Sequence, residues 1–470
     1  MDRAEFLKKT AAGAAGLALA TSAPAAKRRT AVAQERGPNV LLIMTDDQPY
    51  YTVRRMGNLL ALVGGMGATF ERAYLTTPQC APSRATYLTG MLAHNHGLLE
   101  NTNAARRFRE LGLNARGLGK RFQSAGYATG YFGKFMNNYG ADGIRRWVPA
   151  GWDRWFAFAD NPPGPSYKIN DNGTMRRYER PDARLIPERA QDFVGRHAGA
   201  PWFCFLSLSG PHQPYTPTRK HAHDHDGMGP EKRGAYDEKD VSDKPRNVRD
   251  EPRITEETEG KIRSLTEGKY EELADIDDYA VRDTIRVLRD TGQLERTYIF
   301  FVTDNGFLLG QHRLLEKRRP YDESARTPLL VRGPGIPAGS KRREIAANID
   351  LPATFAEIAG FDPAGYDGRS LLTLLKGEDA PWRSALKIEW HGKDEKFGDE
   401  PGYDGLVTQD NRMYAEYDTG EREYYDMVSD PDQAENLSGR RPEEEAALAA
   451  RLAGMRGKAG DAYRTAESVS

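Results

Sequence analysis

The apolar positions of this chain gather into runs that stop abruptly at polar residues. In "NVLLIMTDDQ" residues 39 to 45 read as a buried strand, and Asp46 and Asp47 follow at once. "YATGYFGKF" reads as a strand leading to Gly133 and Lys134. "WFCFLSLSGPHQPY" is a strand ending near Ser209, with Pro211 and His212 just beyond, and "TYIFFVTDNG" runs into Asp304, Asn305 and Gly306. Helical patterns fall between them: "NARGLGKRFQSAG", "IPERAQDFVGRHA" and the long "GKYEELADIDDYAVRDTIRVLRDTG". The alternation predicts an α/β fold with a mainly parallel central sheet flanked by helices. Ligands of such sheets bind beyond the carboxyl ends of the strands. All four polar clusters follow such an end.

Two stretches depart from the alternation. Residues 218–268 are highly charged without apolar periodicity and read as a surface insertion. Past residue 365 come short elements, "ALKIEW", "YDGLVTQ", "NRMYAEYD" and "EREYYDM", then a helical pattern over "RPEEEAALAARLAGM". These predict a smaller C-terminal α+β unit over 366–470, built on a short antiparallel sheet, after a main domain over 38–365.

The first 33 residues stand apart. Basic Arg3, Lys8 and Lys9 precede Thr10 to Ala26, an uncharged run of mostly Ala and Gly. Small-residue exits follow at Ala23-Pro24-Ala25 and Ala31-Val32-Ala33. This is the pattern of an export leader, and "DRAEFLKKT" resembles a twin-arginine signal that has lost one arginine. No later stretch reads as a membrane span. The expectation is an exported protein.

Charge narrows the partners. The 470 residues carry 67 basic and 68 acidic side chains, so nothing electrostatic argues for nucleic acid or an anionic membrane. The two cysteines form no disulfide framework. Cys204 lies in an apolar run, as a small buried hydrophobe does, whereas Cys80 sits in a turn.

The strand-end residues carry candidate chemistry. Asp46 and Asp47 can face one ion only if the strand ends there and the backbone turns. With Asp304 and Asn305 they make an all-oxygen set, which suits Ca²⁺ or Mg²⁺ better than Zn²⁺. The alternative is that both pairs are turn or cap residues. "HAHDHD", His221 to Asp226, has a metal-like composition but sits in the charged stretch and reads as solvated loop. Trp147, Trp152 and Trp155 read mainly as core.

Cys80 adds the specific signal. "CAPSRATYLTG", with "TDDQ", "TDNG", "GKF", "GPHQPY" and the tail "EYYDMVSDPDQAENL", resembles the type I, formylglycine-dependent sulfatases of the alkaline-phosphatase superfamily. The resemblance implies an alkaline-phosphatase-like fold and a sulfuric ester hydrolase in which a maturation enzyme oxidises Cys80 to formylglycine. The hydrated aldehyde then attacks sulfur, displaces the alcohol, and expels sulfate with its second hydroxyl. By motif, the cation ligands are Asp46, Asp47, residue 80, Asp304 and Asn305. Arg84 holds the formylglycine hydrate and its charge, Lys134 and Lys317 contact the sulfate or the leaving oxygen, and His212 is the acid for the leaving group. Arg318 and Arg319 adjoin Lys317.

Many arylsulfatases carry a histidine two residues after the lysine matching Lys134; here that place is Met136. "GKFMNNYG" is closer to the N-acetylglucosamine-6-sulfatase and heparan endosulfatase branch, which makes Asn137 a candidate substrate contact. His94, His96 and His312 either line the substrate pocket or satisfy loop carbonyls. The expected substrate is a sulfated carbohydrate. A phosphonate monoester or phosphodiester hydrolase of the same superfamily, and a non-catalytic glycan binder, are the alternatives.

Overall fold

Five strands form the parallel centre of the computed structural model: β1 (Asn39–Thr45), β2 (Ala128–Gly133), β3 (Arg154–Phe158), β4 (Trp202–Ser207) and β5 (Thr297–Thr303). Their spatial order is β5-β1-β4-β2-β3, every neighbouring pair parallel. Short strands extend both edges, mostly antiparallel, to ten among the described residues. The structure describes residues 37–469 except 142, 160–163, 165, 233 and 393–399, so the leader expected over residues 1–33 lies outside the described residues.

Both faces of the sheet are covered, which is why its strands read as unbroken apolar runs. Val40, Leu42 and Met44 pack with Phe122, Phe203 and Phe355 on one face. Leu41 and Ile43 pack with Leu185, Ile276 and Ile285 on the other. Each such buried side chain contributes about 1.5–3 kcal/mol of transfer free energy.

The strand ends are level. Thr45 of β1 lies beside Thr303 of β5, Met44 beside Ser207 of β4, and Gly133 of β2 beside the same Ser207. Whatever follows each strand therefore emerges at one edge. Gly133 is required there: with φ 108°, an added Cβ would lie 1.7 Å from the Ser207 carbonyl oxygen.

Helices α1 (Cys80–Thr89) and α2 (Asp182–Arg196) flank the sheet with α3 (Glu256–Asp275) and α4 (Asp283–Asp290), which are joined by a wider π-helical stretch, Ile276–Arg282. Helix α3 differs from expectation. It starts inside the charged stretch, with Glu256, Glu257 and Glu259 in its first turn and the Thr255 hydroxyl accepting from Thr258 N–H. Acidic residues at a helix N-terminus complement its dipole, so charge that reads as loop is helix-starting sequence here. The pattern over "NARGLGKRFQSAG" is split at Gly117 into Leu113–Arg116 and Leu118–Ser124.

The C-terminal elements form a four-stranded antiparallel meander: β6 (Ala385–Trp390), β7 (Tyr403–Thr408), β8 (Arg412–Tyr417) and β9 (Arg422–Asp426). Helix α6 (Pro442–Met455), which follows α5 (Asp350–Ala359), lays Leu448 and Leu452 against Leu406, Tyr414 and Tyr424 of the meander. A buried ion network crosses residue 365: Arg383 pairs with Asp350 at the start of α5 and with Glu467 near the C-terminus.

Candidate active site

Four adjacent strand ends deliver the site. After β1 the chain turns sharply at Asp47, whose φ is 58°. A left-handed backbone costs an L-residue about 1–2 kcal/mol and is most tolerated by Asn and Asp. Part of that cost is offset by the Asp47 N–H donating to Asp304 Oδ1 at 3.2 Å. The turn brings the Asp47 side chain round to the side of Asp46, which an extended chain does not allow. Asn305, after β5, donates from Nδ2 to Asp47 Oδ1 at 2.6 Å.

Cys80 is the first residue of α1, and Arg84 follows one turn later. The Arg84 guanidinium is buried. It donates to Asp304 Oδ2 at 2.8 Å, Ser207 Oγ at 2.7 Å and the Lys134 carbonyl at 2.9 Å, and lies 3.4 Å from Asp46 Oδ2. One side chain thus ties together the ends of all four strands. Lys134 pairs with Asp46, and Lys317 pairs with Asp47 while its Nζ stands 2.9 Å from Cys80 Sγ. His212 Nε2 is 3.6 Å from Asp47 Oδ2. Its Nδ1–H donates to the Gln213 carbonyl, leaving Nε2 for proton exchange.

These groups set one another's protonation. Burial opposes charge on Asp46 and Asp47. Lys134, His212 and Arg84 outweigh it for Asp46, and Lys317, His212 and Lys269 for Asp47, so both carboxyls titrate below their ordinary range. Burial and the Asp46 charge push Asp304 up to about 6. Burial also works against the Lys317 charge, but Asp47 and the residue 80 side chain hold its pKa above the usual value. It pushes the Cys80 thiol up to about 11 and the His212 imidazole below its ordinary value. A thiol so placed stays protonated near neutral pH and is a poor nucleophile.

The donor set fits a hard divalent cation. Asp46, Asp47 and His212, and again Asp46, Cys80 and Asp304, lie within metal-binding reach of one another. Asn305 Oδ1 is buried without a hydrogen-bond partner, as a carboxamide oxygen reserved for an ion would be. Three carboxylates and a carboxamide are hard oxygen donors.

Beside this cluster opens a cleft of about 500 Å³. Asp47, Cys80, His212 and Lys317 lie at its walls with Asn101, Asn137, Asn138, Gln213, Tyr215 and Phe307. Asn137 Oδ1 is buried there with no partner. Of the three histidines also considered, none is among the residues lining the cleft. His94 places Nδ1 2.8 Å from Glu389 Oε2 and Nε2 3.0 Å from the Lys458 carbonyl. His96 is buried, accepting from the Leu98 N–H at Nδ1 and meeting Thr86 Oγ1 at Nε2. His312 bonds to Glu238 and stacks on Tyr321 with ring centroids 3.9 Å apart. All three bond to groups of the fold, and of the three His94 meets a loop carbonyl, that of Lys458. Arg318 and Arg319 pair with Glu316, so of the three consecutive cations Lys317 alone bonds to Asp47 and Cys80.

Ser207 and Lys269 belong to the site and escape sequence reasoning. Ser207 reads as one more strand residue. Lys269, in helix α3, donates to the carbonyls of Asp47 and Pro211 at 2.9 Å each, and burial lowers its pKa to about 8. Its only signal is a lysine on the inward face of a helical pattern.

Such a site, cationic groups and hard donors gathered around one helix N-terminus at the carboxyl edge of a parallel sheet, defines an enzyme for esters of a tetrahedral oxyanion. The chain belongs to the sulfatase family, whose pattern matches residues 38–361, and residues 310–457 match the C-terminal region of N-sulphoglucosamine sulphohydrolase. It is a sulfuric ester hydrolase. An N-acetylglucosamine-6-sulfatase of Homo sapiens is 30% identical over 452 residues, covering 86% of this chain and 81% of that protein. An extracellular sulfatase, the SULF-1 homolog of Drosophila melanogaster, is 32% identical over 384 residues, covering 77% of this chain and 34% of that protein. This chain therefore spans about a third of that relative. A solved structure in complex with its substrate D-glucosamine-2-N,6-O-disulfate has the same fold, with TM-score 0.75 and 21% identity, covering 92% of this chain and 99% of that one. No helix among the described residues is long and apolar enough to cross a membrane.

Proposed function

We propose that this chain is a formylglycine sulfatase that hydrolyses the sulfate monoester of an N-acetylglucosamine-6-sulfate-like carbohydrate outside the cytoplasm. The observation that carries the mechanism is the place of Cys80: first residue of α1, at the meeting point of four strand ends, with Lys317 Nζ 2.9 Å from its sulfur. The sulfur stands in for the hydroxyls that a hydrated aldehyde at residue 80 would present. Asp46, Asp47, Asp304 and Asn305 would hold Ca²⁺ or Mg²⁺, which supplies Lewis-acid polarisation when bound. Arg84 and the N-terminus of α1 hold negative charge at residue 80. Lys134 and Lys317 face the sulfate oxygens, where charge grows as the ester bond breaks. His212 lines the cleft with Nε2 3.6 Å from the Asp47 carboxylate and, in its protonated form, gives the Nε2 proton to the leaving alcohol.

The substrate class is supported by the relatives named for N-acetylglucosamine-6-sulfate and by the cleft. The carboxamides of Asn101, Asn137, Asn138 and Gln213 suit hydroxyl and acetamido groups, and Tyr215 and Phe307 offer rings to a sugar face. Export is supported by the relative named an extracellular sulfatase.

The test is made on protein coexpressed with a formylglycine-generating enzyme. Mass spectrometry of the peptide holding Cys80 is expected to find the aldehyde, and sulfate release is expected from N-acetylglucosamine-6-sulfate. An unmodified thiol with no sulfate release counts against the proposal. Faster turnover of a phosphonate monoester reassigns the reaction. Glycan binding indifferent to Cys80→Ala and to chelation, without turnover, marks a binder.

A further inference from the structure

Helix α3 turns one face toward the loop that carries His212, residues 209–218. Lys269, Glu272 and Asp275, three residues apart, share that face, and each holds a backbone group of the loop. Lys269 Nζ donates to the Pro211 carbonyl at 2.9 Å. Glu272 Oε1 accepts from the Thr216 N–H at 2.7 Å. Asp275 accepts from the Thr218 N–H at 2.6 Å and from its hydroxyl. All three side chains are buried. From the other side, Asp182 of α2 accepts from the hydroxyls of Ser209 and Thr216.

The fit is close enough to exclude side chains at two positions. A Cβ on Gly268 would lie 2.1 Å from the Tyr215 ring, and one on Gly210 would lie 2.6 Å from a Glu272 carboxylate oxygen. Lys269 reaches further still. Its second hydrogen bond, also 2.9 Å, goes to the Asp47 carbonyl, and its ammonium sits 4.8 Å from the Phe307 ring centroid. One ammonium therefore ties the left-handed residue after β1 to the residue preceding His212.

We infer that Lys269 is a positioning residue for sulfate-ester hydrolysis, holding the Asp47 carboxylate and the His212 ring in one fixed relation, with Glu272 and Asp275 seating the rest of the His212 loop. The inference rests on the roles given to Asp47 and His212 under the proposed function. Nothing in it requires Lys269 to touch the substrate. Groups that orient metal ligands and catalytic side chains typically cost 10- to 100-fold in affinity or activity when removed.

Lys269→Met removes both donors at similar length. In the matured enzyme, kcat on N-acetylglucosamine-6-sulfate is expected to fall roughly 10- to 100-fold with little change in KM. The sugar alkoxide needs a proton to leave, whereas the phenolate of 4-nitrophenyl sulfate does not, so the loss on the aryl ester is expected to be much smaller. The calcium concentration at the midpoint of the thermal-shift titration is expected to rise about tenfold. Removing a nearby positive charge would by itself lower that midpoint, so a rise reports the lost hold on Asp47. Asp275→Asn, which loosens only the loop, is expected to give the leaving-group-selective loss with an unchanged calcium midpoint.

Equal losses on both esters, or a calcium midpoint that stays or falls in Lys269→Met, overturn the inference. If Lys269→Met does not fold, Asp275→Asn decides: selective loss supports the inference and uniform loss overturns it. Wild-type protein that releases no sulfate sinks the functional reading instead, and the calcium midpoint still tests the hold on Asp47.

Discussion

Three consecutive cations, Lys317, Arg318 and Arg319, differ in what their charges meet. The Lys317 ammonium faces Asp47 and Cys80, while both guanidiniums are held by Glu316. Lys317→Ala is expected to lower kcat for sulfate release by roughly 10²–10³, the usual loss for a donor aimed at developing charge. Arg319→Ala is expected to act far less on kcat. Comparable losses in the two variants would put the sulfate contact elsewhere. His96 carries the pH prediction at this scale. Burial holds its pKa down at about 3, against an ordinary 6.5. The folded protein keeps the ring neutral, whereas the unfolded chain binds a proton below 6.5. The stability it contributes is therefore complete above pH 6.5 and is lost as pH falls toward 3. His96→Gln is expected to flatten the fall in the free energy of urea unfolding between pH 6.5 and 4.5, by on the order of 1.4 kcal/mol per pH unit. Parallel curves for variant and wild type would refute this.

At the scale of elements, level strand ends make the site. Asp46, Asp304, Ser207 and Lys134 are neighbours because β5, β1, β4 and β2 stop at one line. Gly133 sits on that line, where the Lys134 N–H donates to the Ser207 carbonyl at 2.8 Å. Gly133→Ala combines a left-handed backbone with a Cβ 1.7 Å from that carbonyl oxygen. The expected result is a loss of at least about 2 kcal/mol in urea unfolding, together with sulfatase activity, as Lys134 is pushed off Asp46. Wild-type activity in this variant would mean that the strand ends can shift without moving Lys134. The four strands and their polar ends are legible in the sequence because a strand buried on both faces needs an unbroken apolar run. The extent of α3 is not. Its first turns are charged and solvated, so periodicity fades there, and only the cap and the acidic first turn mark the start.

At the scale of the whole molecule, the C-terminal meander is joined to the main sheet by buried charge. Arg383, fully buried, lies between Asp350 and Glu467, with Arg369 on the outer side of Glu467. Removing one member of a buried network strands its partners without compensation, at about 3–5 kcal/mol. Arg383→Met is expected to lose that much stability. Because the network bridges the stretch near residue 365, wild-type protein is expected to unfold in a single calorimetric transition. Two separated transitions would show that the meander and the main sheet are independent.

The sequence by itself determined the α/β class, the four strand ends, the antiparallel C-terminal elements and the motif around Cys80. These follow from local patterns: apolar runs report burial, and motif residues stay close to the element that carries them. The structure alone decided which side chain meets which. Lys269 reaches Asp47 across 222 positions of sequence, and His94 reaches Glu389 across 295. Periodicity tells a residue's face but not its partner, since partners are chosen by how packed elements bring distant segments together. For that reason His94, His96 and His312 are explained by the fold, while Lys269, one polar position in a long helical pattern, stands beside the site.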